Sequence, residues 1–307
     1  MKFLITGAHG DIAQSIFRIL KLSYKKAVID GTDIRKSGPN EFLFNKIHEV
    51  NSPSNKNYLK YIKEISKNYQ IIIPTTEDEI IFFSENLNKF KNTSILINSP
   101  KIINTFSNQL KTHAFLKKKN FSVPNFCLRL NDIKKFSNIF FLKKNFGHGN
   151  QGYKIINNHK EFNKLNTLNK KNWIAQEFLD HNYKEYTCAV TQLGKFRDVI
   201  ILNRRLNQGY TYFVQEVKNL ILKNTLLVLA KKINLNGSIN VQLKINNSRY
   251  AIFEINPRLS STVMMRHKLG FKDCLWWIEY ILNNKLPKNK YKIKNRKLFK
   301  FFDEKFI

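Results

Sequence analysis

Two short segments in the last quarter of the chain carry a set of oxygen-bearing side chains that could do chemistry. Asn240-Val241-Gln242-Leu243 is followed about a dozen residues later by Phe253-Glu254-Ile255-Asn256-Pro257-Arg258. Both read as strands, and adjacent strands would set Gln242 beside Glu254. Side chains alternate along a strand with a period of two, so Glu254 and Asn256 face the same way. The carboxylate and amide oxygens of Gln242, Glu254 and Asn256 suit a hard cation, magnesium or manganese, that keeps several waters and takes its other ligands from phosphates. Arg258, just past the strand end, can fork onto a transferring phosphoryl group or an anionic substrate.

A second group lies upstream. Lys143 stands at a strand end before Lys144-Asn145-Phe146-Gly147-His148-Gly149-Asn150-Gln151-Gly152. Backbone N–H groups around Gly147, Gly149 and Gly152 can fold over phosphates while the lysine supplies a point charge. A plain hairpin turn is the competing reading, and no Gly-Lys-Ser/Thr closes the loop as a Walker motif does. His148 reads as an ordinary loop residue. Gln176-Glu177-Phe178-Leu179, then Lys184-Glu185, place backbone groups that could read an adenine edge and a carboxylate, Glu185, that could accept from ribose hydroxyls. Either glutamate could equally be a solvated strand residue. No Ser/His/Asp or Cys/His nucleophile set is visible.

The start of the chain supports a rival chemistry. Gly7-Ala8-His9-Gly10-Asp11-Ile12-Ala13 follows a strand and opens a helix, where a dinucleotide pyrophosphate could bind, with Asp30 on the ribose. An NAD(P)-dependent reductase or epimerase of the short-chain type would need Tyr with Lys four residues later. None of the 12 tyrosines has one, so tight strand–helix packing is the expected use of these glycines.

The elements that must position these residues follow from periodicity. Lys2 to Thr6, Ala27 to Asp30, Ile71 to Pro74 and Ser94 to Asn98 read as strands alternating with helical patterns, which predicts a parallel, Rossmann-like sheet. Ile103, Phe106, Leu110 and Phe115 predict one helix before Val123-Pro124. From Phe140 the order is strand, glycine loop, strand, helix, strand, which predicts a small α/β lid. Strands are then expected over Glu185 to Thr191, Phe196 to Leu202, Ser238 to Ile245 and Tyr250 to Ile255, with a helix about Val217 to Ile233. Leu275, Trp276, Ile278 and Ile281 mark a last helix.

The 307 residues carry a net charge of +31, but the lysines are spread along the chain among asparagines rather than gathered in one stripe, so no specific nucleic-acid partner is expected. Charged or amide residues interrupt every apolar run before membrane-spanning length, and the apolar start is too short for a secretory leader, so a cytoplasmic location without a membrane partner is expected. Cys127, Cys188 and Cys274 are dispersed and odd in number, which supports neither a disulfide framework nor a zinc site.

In order and spacing these motifs, together with Ile73-Pro74-Thr75-Thr76-Glu77-Asp78-Glu79, resemble the ATP-grasp superfamily, most closely the carbamoyl phosphate synthase large chain and the pyrrolysine-pathway ligases. The resemblance implies an α/β protein with a Rossmann-like pre-ATP-grasp domain (1–105), an ATP-grasp small subdomain or lid (106–178) and a large subdomain (179–307). It implies an ADP-forming ligase that activates a carboxylate as an acyl phosphate for an amine or similar nucleophile, with ATP and Mg2+ (or Mn2+) required. Lys143 and the glycines would hold phosphates, Glu177, Phe178 and Leu179 the adenine, and Glu185 the ribose. Gln242, Glu254 and Asn256 would hold the metal, and Arg258 and Lys143 would act on the transferred group. Arg204, Arg205, Ser260 and Ser261 lie where family members hold the substrate, and a homodimer is compatible with the family. Where the family commonly shows Asp-Lys before the lid, this chain has Asn108-Gln109. Either Lys111 supplies the missing charge to ATP, or the chain is a noncatalytic ATP-binding homologue.

Overall fold

The computed structural model describes residues 1–127, 139–144, 153–164, 173–180, 182–207, 209–246 and 249–301. Gly147, Gly149 and Gly152 lie outside these described residues. The N-terminal part is a parallel sheet of β1 (Lys2–Thr6), β2 (Val28–Asp33), β3 (Ile47–Glu49), β4 (Ile71–Ile73) and β5 (Ser94–Ile95), in the order β3-β2-β1-β4-β5. Parallel pairing requires crossovers, supplied here by helices that include α1 (Asp11–Ser23), α2 (Tyr58–Ser66) and α3 (Glu77–Asn86). Helix α1 lays Ala13, Ile16, Phe17 and Leu20 into the core shared with Phe3, Ile5 and Ile29. Gly7 adopts a left-handed φ of 62°, and a Cβ there would come within 2.6 Å of Thr76 and 2.8 Å of Thr75, so a side chain is excluded where β1 meets β4's loop.

The single helix expected around Ile103 to Phe115 is two, α4 (Pro100–Phe106) and α5 (Gln109–Lys118). Asn108 is the reason. Its backbone is extended (φ −124°, ψ 119°), and its side chain accepts the Lys111 N–H at 2.9 Å as the cap of α5.

The lid follows as an antiparallel sheet of β6 (Phe126–Cys127), β7 (Phe140–Lys144), β8 (Tyr153–Ile156) and β9 (Trp173–Glu177), in the order β6-β9-β7-β8, with α6 (His159–Lys164) between β8 and β9. Alternation sorts its side chains. Phe140, Leu142 and Ala175 join a small core with Phe162, while Phe141, Lys143 and Gln176 belong to the other face.

The largest sheet is antiparallel: β10 (Lys184–Leu193), β11 (Phe196–Asn207), β12 (Tyr210–Glu216), β13 (Gly237–Ile245), β14 (Tyr250–Asn256) and β15 (Lys297–Phe299), ordered β14-β13-β10-β11-β12-β15. Helix α7 (Leu220–Lys232) starts three residues later than periodicity suggests because Asn219 caps it, accepting the Leu222 N–H at 2.9 Å. It buries Leu222, Leu226 and Leu229 against the sheet.

Helices α8 (Val263–Lys268) and α9 (Asp273–Asn283) return to the N-terminal unit. Val263, Met264, Trp277 and Ile278 share one core with Phe3, Ile5, Ile16 and Phe17. Helix α9 also packs closely on β13, where a Cβ on Gly237 would sit 2.6 Å from Trp277. Among the described residues no helix is long and apolar enough to cross a membrane.

Candidate active site

The floor of the candidate site is built by β13 and β14. Gln242 and Glu254 are direct register partners, and Asn240 pairs with Asn256. Glu254 Oε1 accepts from Asn256 Nδ2 at 2.8 Å and from Gln242 Nε2 at 3.3 Å. The three side chains therefore meet at one carboxylate.

A β-bulge sharpens this arrangement. The register shifts between Gln242 and Leu243, so that Gln242 pairs with Glu254 but Leu243 with Ile252, leaving Phe253 as the extra residue. Ile252 and Ile255 both point into the core, and Phe253 and Glu254 between them are both part-exposed. Bulges re-aim side chains next to sites, and here the consequence is that an aromatic ring joins the carboxylate. Lys143 Nζ reaches down from the lid to 5.3 Å from the Phe253 ring centroid and 5.7 Å from that of Phe141. Burial pushes the Lys143 ammonium below the usual lysine range, opposed by the negative charges of Glu254 and then Glu185. Lid and floor thus face each other across this lysine.

Glu185 lies beside Lys244 on β13, and its Oε1 accepts from Arg204 Nε at 2.7 Å and also from Arg204 Nη2. The same Nη2 donates to Gln242 Oε1 at 2.6 Å. Lys244 Nζ donates to the Leu179 carbonyl at 2.7 Å. Arg258 donates to the Leu259 carbonyl at 3.0 Å; burial lowers its pKa while Glu77 and Glu254 act the other way. Lys143, Arg204, Lys244 and Arg258 around Glu185 and Glu254 make a cation-rich cleft of the kind that favours a polyphosphate.

Other expected residues are placed differently. Arg205, the neighbour of Arg204 on β11, stacks its guanidinium 5.2 Å from the Phe213 ring and is exposed. Ser260 is buried, and its hydroxyl accepts from Arg266 Nη1 at 2.9 Å, while Arg266 forks onto Asp273 with both bonds at 2.8 Å. Ser261 is half-buried beside it. Lys111 is exposed and donates to Asn104 Oδ1 at 2.5 Å. Glu177 acts at the lid's root: its carboxylate accepts from the Asn125 N–H at 2.8 Å and from Arg249 Nη2 at 2.9 Å, and its N–H donates to the Asn125 carbonyl. Phe178 packs on Phe141 at 5.0 Å, and Leu179 is buried.

His113 carries no signal in the sequence, and from sequence Gln176 is expected to contribute only through its backbone. His113 is fully buried, stacked on Phe126 at 4.7 Å, and neither ring nitrogen has a partner among the described residues; the same holds for the Gln176 side-chain oxygen. Burial and the nearby Lys143 charge push the His113 pKa down from 6.5 to about 4.

The loop after β1 turns its donors inward. Ala8 N–H goes to the Thr32 carbonyl, His9 N–H to Asp33, and Gly10 N–H to the Gly7 carbonyl, while Tyr69 donates to Asp30 at 2.5 Å. These bonds hold the loop in place, in keeping with a packing role for its glycines.

Comparison with known proteins returns one fold. Residues 169–300 match the family described as ATP-grasp in the biosynthetic pathway with Ter operon. No curated protein matches the sequence. N5-carboxyaminoimidazole synthetase from Staphylococcus aureus, solved with ADP, superposes with a TM-score of 0.76 at 15% identity, covering 95% of this chain and 79% of that one. The biotin carboxylase domain of Hydrogenobacter thermophilus 2-oxoglutarate carboxylase, solved with MgADP and bicarbonate, gives 0.71 at 14%, covering 94% and 71%. The L-amino acid ligase from Bacillus licheniformis gives 0.70 at 13%, covering 92% and 74%. A parallel N-terminal sheet, a four-stranded sheet and a six-stranded sheet in this order give the chain the ATP-grasp fold of these solved structures, and the family match lies over residues 169–300.

Proposed function

We propose that the protein is an ATP- and magnesium-dependent ligase that activates a carboxylate as an acyl phosphate and transfers the acyl group to an amine or similar nucleophile, releasing ADP and phosphate. The observation that carries this reading is the convergence of Gln242 and Asn256 on Glu254 directly beneath Lys143. Among the described residues no group of three His, Cys, Asp or Glu side chains could hold a metal. One carboxylate with two amides fits magnesium nonetheless, because that ion dehydrates reluctantly and draws remaining ligands from phosphates. The ion held by Gln242, Glu254 and Asn256 would neutralise phosphate charge.

The chain's own residues do the rest. Lys143 holds the phosphates from the lid side, and Arg258 faces the developing charge on the transferred phosphoryl group. Glu185 accepts from the ribose once Arg204 yields one of its two bonds. The unpartnered polar atoms of His113 and Gln176 offer a nucleotide base hydrogen bonds on the lid's inner face. Closure of the lid about the Glu177–Arg249 root excludes water from the acyl phosphate. The biosynthetic description of the matching family and the likeness to a structure named as an L-amino acid ligase support ligation in biosynthesis.

A specific feature supports a second reading, a noncatalytic ATP-binding homologue: Asn108-Gln109 caps a helix without bringing a cation, and Lys111 is turned to Asn104. One experiment separates the two. Mg-ATP should stabilise the protein by about 2.7 kcal/mol at roughly 100 times its Kd, and Glu254→Ala should remove most of that shift. ADP release on screening carboxylates with amines supports the ligase. Stabilisation with no turnover on any substrate supports the homologue, and no stabilisation by Mg-ATP overturns both.

A further inference from the structure

A cavity lies at the far end of the β10–β11 hairpin. Open and about 470 Å³ in volume, it lies between the hairpin turn, α7 and the segment after α9, and its lining includes Lys195, Arg197, Lys288 and Lys290 with no carboxylate. Phe196 and Leu227 give it an apolar floor. Phe196 is held in place edge-on against Trp276 at 5.4 Å. The turn is fixed as well, since the Gly194 N–H donates to Asn236 Oδ1 at 3.2 Å.

Arg197 is the observation that asks for a ligand. Its Nε is buried without a hydrogen-bond partner among the described residues. Guanidinium N–H groups have only donors to offer, and a buried donor left unpaired costs free energy that an anion would recover. The adjacent carboxylate in sequence, Asp198, does not serve it: strand alternation sends Asp198 to the opposite face, where it is fully buried and taken by Lys223 at 2.6 Å and the Tyr291 N–H at 2.6 Å. Four cationic residues therefore line a pocket whose neighbouring carboxylate is already paired.

We infer that this cavity binds a small phosphorylated organic anion, the phosphate on Arg197 and the lysines and the apolar portion on Phe196 and Leu227. The site is separate from the nucleotide cleft. Glu185 and Leu193 stand eight residues apart along β10, roughly 26 Å at about 3.3 Å per residue, and the cavity lies beyond Leu193.

Phenyl phosphate, which carries both features and lacks a nucleotide, is the probe, measured by isothermal titration calorimetry on the full chain. Saturable one-site binding is expected, weakened about tenfold, or about 1.4 kcal/mol, by Arg197→Met and by the double variant Lys288→Gln/Lys290→Gln, and unchanged by Glu254→Ala. The lysines are exposed, so the double variant reports on the site even where Arg197→Met folds poorly. Absence of saturable binding overturns the inference, as does binding that ignores both cavity variants or that Glu254→Ala abolishes. Inorganic phosphate binding as tightly as phenyl phosphate overturns the apolar half of it, leaving a site for the bare anion.

Discussion

Arg204 closes on Glu185 with two donors to a single oxygen and, through one of them, also reaches Gln242 Oε1 at 2.6 Å. One guanidinium thus orients a side chain proposed for the ribose and another proposed for the metal. Arg204→Met leaves the part-buried Glu185 without this partner, which is expected to lower stability by about 1–3 kcal/mol. The same change should raise the Kd for Mg-ATP about tenfold. Thermal denaturation with and without Mg-ATP checks both; loss of stability with unchanged affinity would confine Arg204 to a structural role.

Arg258 is part-buried within reach of the charges of Glu77 and Glu254. Arg258→Ala is expected to lower kcat about 10²–10³-fold, the usual effect of removing one donor aimed at developing charge. The KM for ATP should change little. Lysine at this position should restore only part of the rate, because it cannot fork. An effect on KM alone would place Arg258 in ground-state binding instead.

His113 makes the lid interface sensitive to acid. Its folded pKa lies near 4 against the usual 6.5, through burial and then the Lys143 charge. The folded state binds the proton less tightly than the unfolded chain, so stability is lost as pH falls from 6.5 towards 4 and the loss is complete below 4. At about 1.4 kcal/mol per pKa unit the limit is about 3 kcal/mol. His113→Gln should flatten that part of the melting-temperature profile. An identical slope in the variant would assign the acid sensitivity to other groups.

Arg266 and Asp273 are each 1% exposed and bonded through two contacts of 2.8 Å, with Ser260, Thr262 and Ser238 completing the network. Removing one charge of such a buried pair costs about 3–5 kcal/mol. Arg266→Met or Asp273→Asn should therefore each reduce the midpoint of chemical denaturation sharply. The double replacement Arg266→Leu/Asp273→Leu should recover much of the loss. Single variants of wild-type stability would contradict the buried-pair assignment.

What sequence could reveal depended on how local its cause was. The Gln242–Glu254 pairing was legible because it needs only two strands and a period of two. Phe253 was not, because its exposure to the cleft arises from a bulge, a register offset between two strands that neither strand announces alone. The carboxylate partners of Glu177, Asn125 and Arg249, are 52 and 72 residues away and so leave no local trace in the sequence. Arg204 and Arg205 share an expected substrate role, yet adjacent residues of a strand point apart, so only one of them can face the cleft. Ser260 resembled a cleft hydroxyl until the buried Arg266 claimed it. The helix break at Asn108 was hidden by apolar spacing that runs straight across it, although Asn before a helix is itself a capping signal.

The packing of α9 against α1 bears on how the chain is made. Phe3, Ile16 and Phe17 share a core with Trp277 and Ile278, so the parallel sheet gains one of its apolar partners only after the roughly 260 residues from Phe17 to Trp277 have followed it from the ribosome. At about 5–20 residues per second that wait is roughly 15–50 s. During it, the growing chain carries an uncovered apolar face on this sheet and α1, and a chaperone that covers such faces has an opportunity of that length there.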